Sequence, residues 1–292
     1  MPRLHLVDAT YELFRAWFAV PSTRAPDGRE VGATRGVLGT LQKLVQTEGA
    51  THVACATDHV VRSFRNGLYD GYKTEAGVPE DLMSQFHLVE DGIRALGLVV
   101  WPMVEFEADD ALAAGAHRFA AEVEQVLIAT PDKDLAQSVR GDHVIMLDRR
   151  RNTTMNEEGV RAKFGVPPAS IADWLALVGD SADGYPGLPG WGEKSAARVL
   201  CVFGAIEAIP ERTKDWPADL TRAVRGADRL AATLAERKTE ALLYKTLATL
   251  RVDVPLTETL DDLEYKGTPP IFREFCATIG ANGLVDRVAR WS

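Results

Sequence analysis

Residues 97–115 read GLVVWPMVEFEADDALAAG, and the way this stretch folds decides the rest. The apolar run through Met103 has the length of a buried strand, and the Ala-rich segment after Glu107 takes helical spacing. The junction is acidic. Glu107, Asp109 and Asp110 put three carboxylates into four positions. Acids in the first turn of a helix favour its dipole, which is sufficient reason for this group taken alone.

The same pattern recurs on either side. LHLVDAT ends its apolar run at Asp8, THVACATD ends at Asp58, and EQVLIATPDKDL carries Asp132 and Asp134 just beyond its run; HVIMLD is a fifth strand candidate. YELFRAWFAV, GATRGVLGTLQKLVQT and EDLMSQFHLVEDGIRALG lie between them with amphipathic helical spacing. Strands alternating with helices predict an α/β fold with a mostly parallel central sheet flanked by helices. After Phe164 the pattern changes to helix, Gly/Pro-rich loop, helix over GVPPASIADWLALVGDSADGYPGLPGWGEKSAARVLCVFG. ADRLAATLAERKTEALLYKTLATL predicts one long helix, and IPERTKDWPADLTRAVRG reads as a surface connection. The expected division is a core over residues 1–164 and a helical region over 165–292.

Composition sets the outer limits. Hydrophobic residues make up 46% of the 292 positions, and no apolar run approaches the roughly 20 residues of a membrane span. The N-terminus does not read as a signal peptide. Three scattered cysteines with no CxxC pair imply a reduced cytosolic protein, and the six histidines show no paired ligand spacing. The net charge of −9, from 42 acids and 33 Lys plus Arg, argues on its face against a nucleic-acid partner.

The placement of the acids reverses that argument. Asp8, Asp58, the Glu107–Asp109–Asp110 group and the Asp132–Asp134 pair all follow predicted strands. In an open parallel sheet those ends share the ligand-binding edge, where Asp180 and Asp183 of the Gly/Pro loop can join them. Each alone is accounted for as a helix cap or a turn residue; together they are not. Clustered carboxylates need compensation or take up protons. Oxygen-only ligand sets suit Mg²⁺ or Mn²⁺, and two such ions about 4 Å apart are a standard device for phosphodiester cleavage. With these nine acids set aside, the remaining acids equal the 33 Lys plus Arg in number, so a local basic track is compatible with the composition.

In order along the chain, LHLVDATYELFRAW, ATDHVVRSFRNGLYDGYK, FEADDALA, ATPDKDLAQ, ALVGDSADGYPGLPGWGEKSAARVL and KTLATLRVDVPL resemble the 5′-nuclease family: flap endonucleases and the 5′–3′ exonuclease domain of bacterial DNA polymerase I. The resemblance covers most of the chain to about Leu256. It implies a PIN-like sheet followed by a helix–three-turn–helix. Asp8, Asp58, Glu107 and Asp109 would surround one metal, with Asp110 close by, and Asp132, Asp134, Asp180 and Asp183 the other. Arg15 matches an arginine facing the scissile phosphate. Tyr72 and Lys73 match an aromatic–lysine pair at the base of a helical arch, here about residues 70–97, where stacking and charge pairing suit an unpaired 5′ end.

The loop GLPGWGEKS approaches a phosphate-binding P-loop, but Glu193 intervenes before Lys194 and no strand precedes it, which excludes ATP binding. Gly190, Gly192 and Ser195 instead place amides at a helix start where a backbone phosphate can dock, with Lys194 and Arg198 as phosphate contacts and K⁺ held by the loop carbonyls in family members. The implied partner is DNA with a 5′ flap, overhang or nick, met by a monomer in the bacterial cytoplasm, at the nucleoid when acting. Two departures stand out. Thr74, Glu75 and Ala76 follow the arch lysine where the family has an arginine, and Gly184 replaces an Asn in GDSADGYPG, which predicts a looser loop. The competing readings are a PIN-class ribonuclease and a non-catalytic DNA junction binder.

Overall fold

A computed structural model describes residues 1–292. Six strands form one sheet in the order β3-β2-β1-β4-β5-β6: β1 (Arg3–Asp8), β2 (His52–Asp58), β3 (Val99–Met103), β4 (Gln125–Ala129), β5 (Val144–Asp148) and β6 (Thr153–Met155). The first five are parallel, and only β6 runs antiparallel, on β5. β6 escapes sequence reading because Thr153-Thr154-Met155 is too short for a period to show. It is paired by a turn through Asn152, whose φ is +52°.

The chain winds from β1 outward through β2 to β3 and then returns to the other side of β1 as β4. The reversal puts a crevice at the carboxyl ends of β1 and β4, where open α/β sheets bind ligands. The strands separate two cores. Leu4, Leu6, Ala54 and Ala56 face one; Val7, Val53 and Cys55 face the other. That alternation is the period-2 geometry of a strand buried on both sides.

Helices α1 (Ala9–Ala19), α2 (Gly32–Gln46), α3 (Glu80–Met83) and α4 (Gln85–Leu96) cover the second core. α5 (Ala108–Phe119) covers the first, together with α6 (Glu157–Phe164), α7 (Ile171–Val178), α8 (Glu193–Phe203), α9 (Ala218–Ala223), α10 (Ala227–Glu236) and α11 (Lys238–Ala248). None of the helices is long and apolar enough to cross a membrane.

Packing redraws three of the expected boundaries. The single helix expected over 227–250 is two, α10 and α11, parted at Arg237 with φ −114° and ψ 26°. Each half answers to a different partner: Trp191 Nε1 donates to the Leu230 carbonyl at 3.2 Å, while Tyr244 stacks on Tyr185 at 5.6 Å. The stretch 209–226 is not a loose connection, since Trp216, Leu220 and Val224 are buried in the first core. The last residues, with α12 (Ile271–Thr278) and α13 (Asn282–Val285), return to the second core through Phe272, Cys276 and Leu284. Gln42 Nε2 donates to the Leu284 carbonyl at 2.9 Å. Residues 165–292 thus contribute to both cores. Of the stretch read as an arch, α4 is a core helix holding Phe86, Val89 and Ile93 inside. From this stretch Lys73, Thr74, Val78 and, on α4, Phe86 reach the site.

Candidate active site

Strand ends and helix starts supply the acids. Asp8 closes β1 and caps α1, accepting from the Tyr11 amide at 2.8 Å. Asp58 closes β2 and accepts from the Ala108 amide of α5 at 2.8 Å. Asp132 follows β4 and accepts from the Asp134 amide at 3.0 Å. The capping roles that explain each acid singly are thus real, and each takes up a carboxylate oxygen on a backbone amide. What capping does not explain is the convergence. Asp8, Asp58, Asp109 and Asp132 line one cleft of about 400 Å³ with Tyr11, Phe14 and Lys73. Asp134, Asp180 and Asp183 bring one carboxylate oxygen each within 4.8 Å of one another. Asp134 Oδ1 is buried there with no hydrogen-bond partner.

Burial pushes the Asp8 carboxyl up to about 7, with Asp58 and Asp132 adding to the effect. Burial pushes Asp58 up to about 6. Asp109 and Asp134 are driven well above the carboxylate range by burial and then by their acidic neighbours. This strain is the electrostatic cost of gathering like charges away from water.

Compensation from within the chain is partial. Lys73 Nζ lies 2.8 Å from Glu107 and 3.0 Å from Asp183, tying the two acid groups together. Burial alone would lower the pKa of this ammonium, yet Glu107 and Asp183 hold it well above the usual lysine range. Lys133 pairs with Asp180. The premise that metal alone makes the acids tolerable is therefore corrected: two lysines share the task. They are outnumbered, and the oxygen-only donors with a partnerless buried oxygen fit hard divalent ions.

Five expected roles change. Asp132, expected with the Asp134 group, lines the cleft with Asp8, Asp58 and Asp109. Asp110 is fully buried and saturated: Arg65 binds it through two nitrogens at 2.7 and 2.8 Å, and the amides of Glu107 and Arg251 donate at 3.0 and 2.9 Å. No lone pair is left for an ion, so Asp110 is a structural anchor. Glu107 is held by Lys73, by the Ser63 hydroxyl at 2.6 Å and by the Tyr72 hydroxyl at 3.2 Å. Although burial opposes it, Lys73 and Arg65 keep Glu107 ionised. Tyr72 offers no stacking face; it is 3% exposed, and its work is to orient Glu107. Arg15 pairs with Glu12 and is not among the residues lining the cleft.

Sequence reading missed Arg65, Ser63, Thr130 and Lys133. The Thr130 hydroxyl donates to Asp8 at 2.9 Å. Lys133 was legible, since it sits between two named aspartates; Arg65 was not, because nothing local marks an arginine for burial.

The departure at Gly184 acquires a reason. Its φ is +87°, and a Cβ there would overlap the Gly71 carbonyl oxygen. This close approach lets the Lys73 amide donate to the Asp183 carbonyl at 3.1 Å. The loop is docked against the lysine segment, which corrects the expected looseness. Gly184→Asn, the substitution that restores the family residue, is expected to destabilise the protein by about 1–3 kcal/mol, read as a lower Tm.

The second region carries the loop between α7 and α8. Gly190 has φ +85°, and Gly192 caps α8, its amide donating to Ser195 Oγ at 3.1 Å. Lys194 is exposed, and Arg198 donates to the Ala223 carbonyl. With Lys163, Trp174 and Phe164 they line a groove of about 610 Å³.

Two family models divide the chain between them: "5′-3′ exonuclease, N-terminal resolvase-like domain" matches residues 3–165, and "5′-3′ exonuclease, C-terminal SAM fold" matches 166–270. DNA polymerase I of Pseudomonas aeruginosa is 37% identical over 91% of this chain and 29% of its own length. That of Rhizobium leguminosarum is 35% identical over 98% of this chain and 28% of its own. The chain thus spans under a third of the curated relatives it matches. Among solved structures, the T5 5′-exonuclease with divalent metal ions (zinc) bound superposes with a TM-score of 0.66 at 17% identity, covering 98% of this chain and 96% of that one; this likeness speaks to the fold. With both halves matched in order, the chain belongs to the 5′-3′ exonuclease family.

Proposed function

We propose that the chain is a structure-specific 5′ nuclease dependent on Mg²⁺ or Mn²⁺, hydrolysing DNA phosphodiesters at 5′ flaps, overhangs or nicks in replication and repair. The observation that carries this reading is the pair of acid groups at the sheet's switch point: Asp8, Asp58, Asp109 and Asp132 line one cleft, and Asp134, Asp180 and Asp183 converge with the buried Asp134 Oδ1 making no hydrogen bond. Asp8, Asp58, Asp109 and Asp132 would hold one ion, and Asp134, Asp180 and Asp183 a second. Bound there, divalent ions supply Lewis-acid stabilisation of the charge that develops at phosphorus.

The chain's own groups do the remaining work. Lys73 stays charged and stands between the two acid groups, where it can meet a phosphate oxygen. Tyr72 and Ser63 fix Glu107, which in turn fixes Lys73. The docked 71–73 segment and the cleft wall of Phe14, Val78 and Phe86 bound the space open to an unpaired end. The loop at Gly190–Gly192 and the exposed Lys194 suit duplex backbone phosphates, with K⁺ on the loop carbonyls. The protein would act as a monomer at the bacterial nucleoid.

The test compares a 5′-flap DNA with single-stranded RNA at equal concentration, with Mn²⁺ and with chelator. Metal-dependent cleavage of the flap in preference to the RNA is expected. Preferential RNA cleavage would favour the PIN-class ribonuclease, and binding without product after long incubation would favour the junction binder.

A further inference from the structure

Outside the acidic cleft, one other set of donors converges. His59 Nδ1 lies 3.1 and 3.0 Å from the two Glu90 oxygens and 3.2 Å from His87 Nδ1. The two imidazole centroids are 4.2 Å apart, with the planes inclined by 63°. His87 and Glu90 stand three residues apart on α4 and so share a face. His59 follows the end of β2, its amide held by the Met103 carbonyl at 2.9 Å. The three side chains therefore meet across the seam between the sheet edge and α4.

Hydrogen bonding alone serves this arrangement badly. An imidazole nitrogen directs one proton or one lone pair along one in-plane direction. If His59 Nδ1 carries the proton and gives it to Glu90, His87 is left against the same N–H. If instead His87 donates to it, the His59 lone pair confronts a buried carboxylate. A cation at the centre resolves both conflicts, because all three donors then turn lone pairs to one point. The spacing suits one. Zinc bonds of 2.0–2.1 Å in a tetrahedron set donor–donor edges of about 3.3–3.4 Å, close to the 3.0–3.2 Å from His59 to its two neighbours, and one ligand atom from each of His59, His87 and Glu90 lies within 4.8 Å of the others.

We propose that His59, His87 and Glu90 form a transition-metal site of the zinc type, distinct from the acidic cleft. The two imidazoles select against Mg²⁺ and Ca²⁺ in favour of Zn²⁺-like ions. Glu90 is pre-set for the role: it is 1% exposed and oriented by the Thr57 hydroxyl at 2.9 Å, with Arg94 at 3.7 Å. Such outer partners fix a ligand before the ion arrives. The exposed side of His87 leaves the fourth position to water or to an incoming ligand. The consequence reaches the cleft. His59 adjoins Asp58, and His87 adjoins Phe86, and both Asp58 and Phe86 line the cleft. An ion held by His59, His87 and Glu90 staples the loop after β2 to α4 and fixes that wall.

Cobalt(II) titration of the full chain, followed by visible absorption, tests the site without reference to DNA. Tetrahedral cobalt with imidazole ligands absorbs strongly, whereas the all-oxygen cleft gives only weak octahedral bands. The intense bands are expected in the wild type, expected to be retained in Asp134→Asn, and expected to be absent from His87→Ala, whose side chain is exposed. In parallel, Zn²⁺ should raise the Tm of Asp134→Asn by clearly more than that of a His87→Ala/Asp134→Asn double variant. Weak bands only in the wild type, or intense bands surviving His87→Ala, would overturn the proposal while leaving the nuclease reading untouched.

Discussion

Asp134→Asn and Asp8→Asn each lower the rate of 5′-flap cleavage in Mg²⁺ by at least about 10³-fold, equivalent to roughly 4 kcal/mol of transition-state stabilisation. Both keep the fold, and in chelator both are more stable than the wild type. The second half of this result follows from the sign of the carboxyl shifts. Asp8 moves from 3.8 to about 7 on folding, chiefly through burial. Between those values the native state binds more protons than the unfolded chain, so stability falls as pH rises. Asn deletes that dependence, and at pH 8 it restores about 1–3 kcal/mol to the metal-free protein. An Asn at position 8 can still accept the Tyr11 amide, so the cap on α1 survives. A bound ion reverses the ranking: with Mn²⁺ present the wild type gains stability by mass action and the variants gain less. Melting curves at pH 5 and pH 8, with and without metal, check each limb. A variant that cleaves normally, or a wild type whose metal-free Tm is flat across that range, contradicts the account.

Arg65→Ala is expected to cost about 3–5 kcal/mol of stability, the largest loss of any single substitution considered. Arg65 is 1% exposed. It binds Asp110 through two nitrogens and donates to the carbonyls of Leu247 and Thr249 at 2.7 and 3.1 Å. It thereby ties the segment after β2 to α5 and to the end of α11. Removing it strands a buried carboxylate and two carbonyls. Asp110→Asn is expected to be destabilising as well, since one bond of the bidentate pair is lost. Calorimetric titration with Mn²⁺ separates the roles: Asp110→Asn should keep the metal binding of a folded wild type, whereas Asp134→Asn should lose one of the two binding events. Loss of metal binding in Asp110→Asn at a temperature where it remains folded would return Asp110 to the ligand set.

These two expectations divide the acids into those proposed to hold ions and those that hold the protein. Adjacent residues fall on opposite sides of the line. Asp109 lines the cleft, and Asp110, one position on, points 100° around the helix into the first core.

The sequence by itself determined the alternation of strands and helices, the five parallel strands, the acids at their ends and the membership of a family, because period, turn chemistry and motif order are local and additive. It pointed the acids after the strands to one edge, where the structure gathers Asp8, Asp58, Asp109 and Asp132, since a strand's carboxyl end is fixed by where its apolar run stops. Only the tertiary structure decided which oxygens are free. Asp110 is taken by an arginine 45 positions away, Tyr72 is turned inward to Glu107, Gly184 is needed because Gly71 comes against it, and the chain's last helices return to the second core beside α2. Each of these depends on contacts between segments distant along the chain, and burial, which sets both charge and hydrogen-bond satisfaction, is a property of the packed molecule and of no stretch within it.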